Sequence, residues 1–306
     1  MELVSVVIGT YNGSEYIEDQ LQSILNQTYS KIEVIIVDDA SNDTTIDIVT
    51  EFSKKHKNII IHAFDKNVGY IKNFERGIDL ANGKYIALSD QDDWWAPTKI
   101  EKLINSISDY DLVYCNSTFV DEKLNCLGNS FSSTKNLINS NTPLNFLLDN
   151  CVSGHASLFT KSLYNNAKPF PELIPHDWWL AYVASLGNGL FYLDEPLVKY
   201  RHHQDNVIAS NNKDKKDKKK NKKSKGQKFK ERRHRINNFY DRCPDELQEE
   251  KRIILSVKES YSNFSLSNNL KRVAVLFSNR KEILKINKKN DLEKMFYLAN
   301  MFFKIK

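Results

Sequence analysis

The residues with the most chemistry in them stand in SDQDDWWAP, residues 89–97. Asp90, Asp92 and Asp93 crowd into four positions there. Carboxylates a few ångströms apart repel each other by about 3 kcal/mol per pair at an effective dielectric near 20. Two more polar groups accompany them, Thr10-Tyr11-Asn12 and Asp38-Asp39, each directly after a short apolar run. A crevice of carboxylates wants a cation. Two acids one residue apart can turn toward one hard ion, Mg²⁺ or Mn²⁺, which keeps sites free for phosphate oxygens. No glycine-rich phosphate loop is present: IGTYNGSEY is not G-x-G-x-x-G, and no G-x-x-x-x-G-K-[ST] occurs. A diphosphate here would therefore be neutralised by metal rather than by backbone amides. That argues against a nicotinamide dehydrogenase and a P-loop NTPase.

These acids need a frame, and the first half of the chain supplies one. LVSVVIG (3–9), EVIIVDD (33–39), NIIIHAF (58–64), KYIAL (84–88) and DLVYCN (111–116) read as strands. Helical stripes lie between them: Ile17, Leu21, Ile24 and Leu25; Ile46, Val49 and Phe52; Ile71, Phe74, Ile78 and Ala81; Ile100, Leu103, Ile104 and Ile107. Such alternation with short joints predicts an open, mostly parallel sheet covered on both faces. In such sheets ligands bind beyond the carboxyl ends of the strands, where the three polar clusters fall. Further on, the spacing predicts a short helix near 143–149, an extended piece near 156–160, an amphipathic helix over 177–187, and separate strands at GLFYL and LVKYR.

VSVVIGTYNGSEYIEDQLQSILNQTY, EVIIVDDASNDTT, NVGYIKNFERGIDLANGKYIALSDQDD and PHDWWL occur in that order. Together they resemble a family 2 glycosyltransferase of the GT-A fold, over residues 3–208. HDWW is similar to the branch that holds many bacterial rhamnosyltransferases. The resemblance implies inverting transfer of a sugar from a nucleoside diphosphate donor, usually with a metal.

It also implies roles. Asp39, with Asp38 beside it, would contact the nucleotide, in a pocket lined by Thr10, Tyr11 and Asn12. Asp92 would bind the metal directly, and Asp90 would touch the ribose or reach the metal through water. Asp177 would be the general base, with His176 as the alternative. Arg201 or His203, in VKYRHHQDNVIAS, would meet the leaving diphosphate, or His203 would complete the metal shell. His202 departs from the glutamine expected between them. His155, in VSGHASLF, Trp94, Trp95 and Trp178 are candidates for acceptor or donor-sugar contacts. Plainer roles stand beside these: turn or helix capping for Asp38, Asp39, Asp93 and Asp177, and packing for the tryptophans.

Charge is uneven along the 306 residues. Net charge is +5, yet 213–235 holds 14 Lys/Arg against 3 acids, so the rest is mildly acidic. The lysine run 211–230 is too charged to bury and predicts a flexible loop or linker. It divides a catalytic domain, 1–210, from a helical region, 231–306. The run suits a solvated loop or attraction to anionic lipid, which the apolar helix MFYLANMFFKIK would support. No aromatic interleaves it before Phe229, so nucleic acid is not the expected partner. MELVSVVIGT lacks the basic start and cleavage site of a signal peptide. The expectation is a cytoplasmic enzyme at the inner face of the membrane. An inactive sugar-nucleotide-binding protein is the rival reading.

Overall fold

The computed structural model describes residues 1–203, 225–263 and 265–303. Strands β1 Val4–Thr10, β2 Ile32–Asp38, β3 Ile59–Ala63 and β4 Tyr85–Ser89 alternate with helices α1 Ile17–Leu25, α2 Thr45–Lys55 and α3 Tyr70–Asp79. Then come β5 Trp94–Trp95, α4 Lys99–Ile107, β6 Leu112–Val120, β7 Cys126–Ser130, α5 Phe131–Thr134, β8 Ser157–Thr160, α6 Lys161–Ala167, α7 His176–Ala184 and β9 Leu190–Arg201. Five helices close the described chain: α8 Lys225–Arg242, α9 Gln248–Ser260, α10 Leu266–Ser278, α11 Arg280–Ile283 and α12 Asp291–Phe303.

One sheet runs β3-β2-β1-β4-β8-β6-β9-β5, with β7 on β6. Pairing is parallel from β3 to β4 and between β6 and β9; β8 and β5 pair antiparallel. The period of two along each strand separates two cores. Val7, Ile35, Val37 and Leu88 face α3, α6 and α7. Val6, Ile8, Val34, Ile36 and Ala87 face α1, α2 and α4. Gly77 lets α3 lie close on the sheet: a Cβ there would stand 2.5 Å from Val7 Cγ1.

Three expectations change. GLFYL and LVKYR are one strand, β9, because its register slips opposite Cys115–Ser117 and the slip absorbs Asp194 and Glu195. Helix α7 is buried nearly all round rather than amphipathic, since α8 covers its outer side: Tyr182 and Phe239 stack at 3.8 Å. Helix α8 begins at Lys225, inside the segment expected to be loop; the expectations for 211–224 lie outside the described residues. The polar stretch after β6 forms the hairpin strand β7 and the turn of α5. No helix among the described residues is long and apolar enough to cross a membrane.

Candidate active site

The parallel register puts Thr10 beside Asp38 and Ile8 beside Ser89, so the loops after β1, β2 and β4 meet. At the β1–β2 corner the acids are fully used. Asp38 is buried; it accepts from Thr10 Oγ1 at 2.7 Å and from the Ser41 backbone N–H at 2.8 Å. Asp39 accepts from the backbone N–H groups of Val68 and Gly69 at 2.9 and 2.8 Å, and from Arg76 at 2.7 Å. Gly69 has φ +82°, a conformation that suits glycine and aims its N–H at Asp39. Asn12 accepts from the Asn42 N–H at 2.9 Å, and Tyr11 is 48% exposed at the rim.

The second corner follows β4. Gln91 points back and brackets the Tyr11 backbone, accepting its N–H at 2.9 Å and donating to its carbonyl at 3.1 Å. The three acids take different partners, which is how their crowding is relieved. Asp92 meets His203 Nε2 at 2.7 Å. Asp90 and Asp93 share His155 Nδ1, at 3.3 and 3.4 Å. The other side of that imidazole, Nε2, lies 3.0 Å from Ser117 Oγ, and the ring stacks on Tyr200 at 4.8 Å. Burial pulls the His155 pKa down, but Asp93 and Asp90 outweigh it and the net direction is up. For Asp90 burial pushes up, yet the hydrogen bond and charge of His155 hold it below the usual range. Asp93 is wholly buried; burial raises it to about 8, against the pull of His155 and with Asp92 and Asp90 adding to the rise. Beneath this cluster Lys99 is also wholly buried, with its ammonium 3.1 Å from the Trp95 ring centre and donating to the His155 carbonyl. Burial lowers it to about 7.

Several expected roles move. Asp93 does not cap a helix: α4 starts after Thr98, and Asp93 accepts from the Arg201 backbone N–H at 3.2 Å. Arg201, expected at the leaving diphosphate, is turned inward. It is 2% exposed and donates to the Asp92 and Glu122 carbonyls and to Asp19, because the turn after β4 folds over it. Trp95 is buried in the core and Trp94 pairs on β9 with Lys199 above its ring, so β5 is a packing element. His155 is buried among the acids rather than on an acceptor surface.

The third wall is α7. His176 packs on Phe74 at 4.5 Å, and burial holds it in the neutral form below its ordinary pKa. A Cβ at Gly154 would stand 2.7 Å from His176 Nε2, so any larger residue there would have to displace the imidazole. Asp177 follows at the helix start and accepts from the Trp178 N–H at 2.6 Å. Burial pushes Asp177 up, with His176 and that N–H pulling it back and Asp90 adding to the rise. Tyr70, on α3, is pushed up to about 12 by burial with Asp177 and Asp90. Trp178 donates its indole N–H to the Phe146 carbonyl at 2.7 Å. Sequence reasoning did not single out Tyr70, Gln91, Arg76 or Lys99. Their signal is only contact, since each lies in a stripe or loop that looks ordinary along the chain.

The donor atoms suit a divalent cation. Asp92 and His203 offer a carboxylate and an imidazole in contact, a set that fits Mn²⁺; Asp90, two residues earlier, meets His155 and keeps 43% of its side chain exposed. Ligand atoms of Asp90, Asp93 and His155 also lie within 4.8 Å of one another. That second group is the poorer cation seat, because Asp93 is fully buried above the Lys99 ammonium.

The fold is that of the GT-A glycosyltransferases. S. aureus TarS (1–349), solved with UDP-GlcNAc, is similar at TM-score 0.63 and 17% identity, over 99% of this chain and 89% of that one. The mannosyltransferase PcManGT of Pyrobaculum calidifontis, solved with GDP-Man and Mn²⁺, gives 0.55 and 15%, over 98% of this chain and 79% of that one. The family model for glycosyl transferase family 2 matches residues 5–164. The dTDP-rhamnosyl transferase RfbG of Shigella flexneri is 33% identical over 67% of this chain and 74% of its own. The UDP-Glc:alpha-D-GlcNAc-diphosphoundecaprenol beta-1,3-glucosyltransferase WfaP of Escherichia coli is 31% identical, over 70% of this chain and 83% of its own. The chain belongs to glycosyl transferase family 2.

Proposed function

We propose that this chain is an inverting, metal-assisted glycosyltransferase. It moves one sugar from a nucleoside diphosphate sugar, dTDP-rhamnose or a UDP-hexose, to a hydroxyl of a surface polysaccharide or lipid-linked oligosaccharide. The observation that carries the reading is that His176, the residue before Asp177, lies against Gly154, 2.7 Å from where a Cβ would stand, while His155, the residue after Gly154, meets Asp90 at 3.3 Å. It puts a basic carboxylate within reach of the acids that would hold the donor. Asp177 takes the proton from the acceptor hydroxyl as that oxygen attacks the anomeric carbon. A single displacement inverts the centre and needs one base. A carboxylate whose pKa is raised is the stronger base for that step.

Asp92 and His203 would hold Mg²⁺ or Mn²⁺, with Asp90 at the ribose or reaching the cation through water. The cation, when bound, neutralises charge on the leaving diphosphate. Asp38 and Asp39 act through the loops they fasten: they frame a nucleotide pocket with Thr10, Tyr11 and Asn12. Neutral His176 shapes the floor beside Asp177. The donors named for the Shigella and Escherichia relatives support the donor class. The test is nucleotide release from a panel of UDP-, dTDP- and GDP-sugars with Mg²⁺ or Mn²⁺. Release from none of them would overturn the reading, and donor binding without release would favour a binding protein.

Peripheral attachment to anionic membrane, at the cytoplasmic face, belongs to the same reading. Helices α10 and α12 turn Leu266, Leu270, Leu292, Met295 and Phe296 to solvent. Surface helices ordinarily present polar residues there. Residues 265–303 carry 8 Lys/Arg against 3 acids, which suits anionic headgroups. Sedimentation with phosphatidylserine vesicles should carry the protein down, and a Phe296→Glu, Leu292→Glu variant should stay in solution; equal sedimentation refutes it.

A further inference from the structure

One cation packed against α7 has no ion pair among the described residues. Arg235, on α8, lays its guanidinium carbon 3.9 Å from the ring of Trp178. Trp178 is itself held at both ends, by the Phe146 carbonyl and by Asp177. Among the described residues no carboxylate or carbonyl meets this guanidinium, and its buried Nε has no partner. Among the described residues Arg232, three residues earlier on the same helix, donates to Tyr261 Oη alone, at 3.4 Å. Burial and the Arg232 charge together push Arg235 down to about 10. Two acids pull the other way without meeting the guanidinium, Asp149 and, four residues earlier on α8, Glu231; Asp149 is engaged by Lys135 at 2.7 Å, and Lys135 in turn acts on Asp177.

A partly buried cation left unpaired is costly, and folds rarely keep one without use. Stacking on an indole immobilises the guanidinium plane and leaves its N–H edge free. That edge matches the paired oxygens of a phosphate, and two neighbouring arginines suit its charge better than that of one carboxylate. We propose that Arg235, braced on Trp178 and backed by Arg232, binds a phosphate group of the acceptor. The acceptor is then a phosphate-bearing molecule whose reacting hydroxyl is presented to Asp177. This rests on the transferase reading for the word acceptor; the anion site stands without it. The phosphate can belong to a prenyl-type lipid diphosphate or to a phosphodiester within a glycan.

Calorimetry on the full chain in EDTA separates these. The probes are farnesyl diphosphate, farnesol, and a phosphodiester-linked disaccharide. One of the two phosphates should bind and farnesol should not; which one binds names the source. Arg235→Gln should weaken that binding by about 10- to 100-fold, the worth of charge-assisted hydrogen bonds, and Arg235→Lys by less. Binding of UDP or dTDP with Mn²⁺ should be the same in all three proteins. The proposal is overturned if neither phosphate binds, if Arg235→Gln binds as the parent does, or if that variant loses nucleotide binding by the same factor. Failure of the parent to release nucleotide from any donor, with phosphate binding intact, sinks the transferase reading alone.

Discussion

Asp39, after β2, and Asp92, after β4, stand on the same edge of one sheet, yet they are held in opposite ways. Asp39 takes two backbone N–H groups and the Arg76 guanidinium, none of which can change its proton count near neutral pH. Asp92 takes one imidazole, and its neighbours Asp90 and Asp93 share another. Fixed donors make a fastener: Asp39 ties the loop before α3 to the end of β2. Imidazoles can lose their proton and turn toward a metal, so the second corner can exchange its partners for a bound ion. Acid content alone therefore does not tell a fastened acid from one whose partners can be exchanged; the donors around it do.

Four changes would break or sharpen that contrast. The largest effect belongs to Asp177, an acid of neither corner: Asp177→Asn should lower transfer by about 10²- to 10⁴-fold while leaving donor binding intact. Near-normal turnover would remove it from the base role. Next, Asp39→Ala should cost roughly 3 kcal/mol in urea unfolding, because it strands Arg76 and two N–H groups. A loss below half of that would make Asp39 no fastener. Asp92→Ala should do the reverse. Its stability should change by about 1 kcal/mol or less, while Mn²⁺-dependent donor affinity falls by about 10- to 100-fold or more. Unchanged affinity by calorimetry would unseat it as the metal ligand.

The smallest effect is a pH slope. Lys99 faces Asp90, Asp93 and Cys115 and has its pKa lowered to about 7, below the 10.5 of an exposed lysine. The folded chain then holds fewer protons than the unfolded chain between those values. Its contribution to stability is full above the unfolded pKa and falls as pH drops toward about 7. Lys99→Met should flatten the stability profile between about pH 7 and 10 relative to the parent. Parallel profiles would show that Lys99 stays charged.

The strands and the polar clusters at their ends were legible because apolar runs and helical stripes are local patterns. So was the order of motifs that resembles the family, and the family assignment agrees with it. The partners of those motifs were not legible. His155 and Asp90 are 65 residues apart, and Arg201 and Asp92 are 109 apart; only the fold brings them together. Arg201 illustrates the miss. Its place in a family-like stretch suggested a phosphate contact, while the structure buries it under the β4 turn. The helix α7 misled for a related reason: a sequence does not say that a later helix, α8, will cover its outer face.

By itself the sequence determined the alternating architecture, the family, and which acids gather at one sheet edge, since hydrophobic period and motif spacing act over a few neighbouring residues. Tertiary structure decided what each acid is paired with there. A carboxylate's charge state and availability depend on burial and on the donor within about 3 Å of it, and those donors come from distant strands. It alone set Asp39 against Arg76, Asp92 against His203, and an unpaired Arg235 over Trp178 beside Asp177.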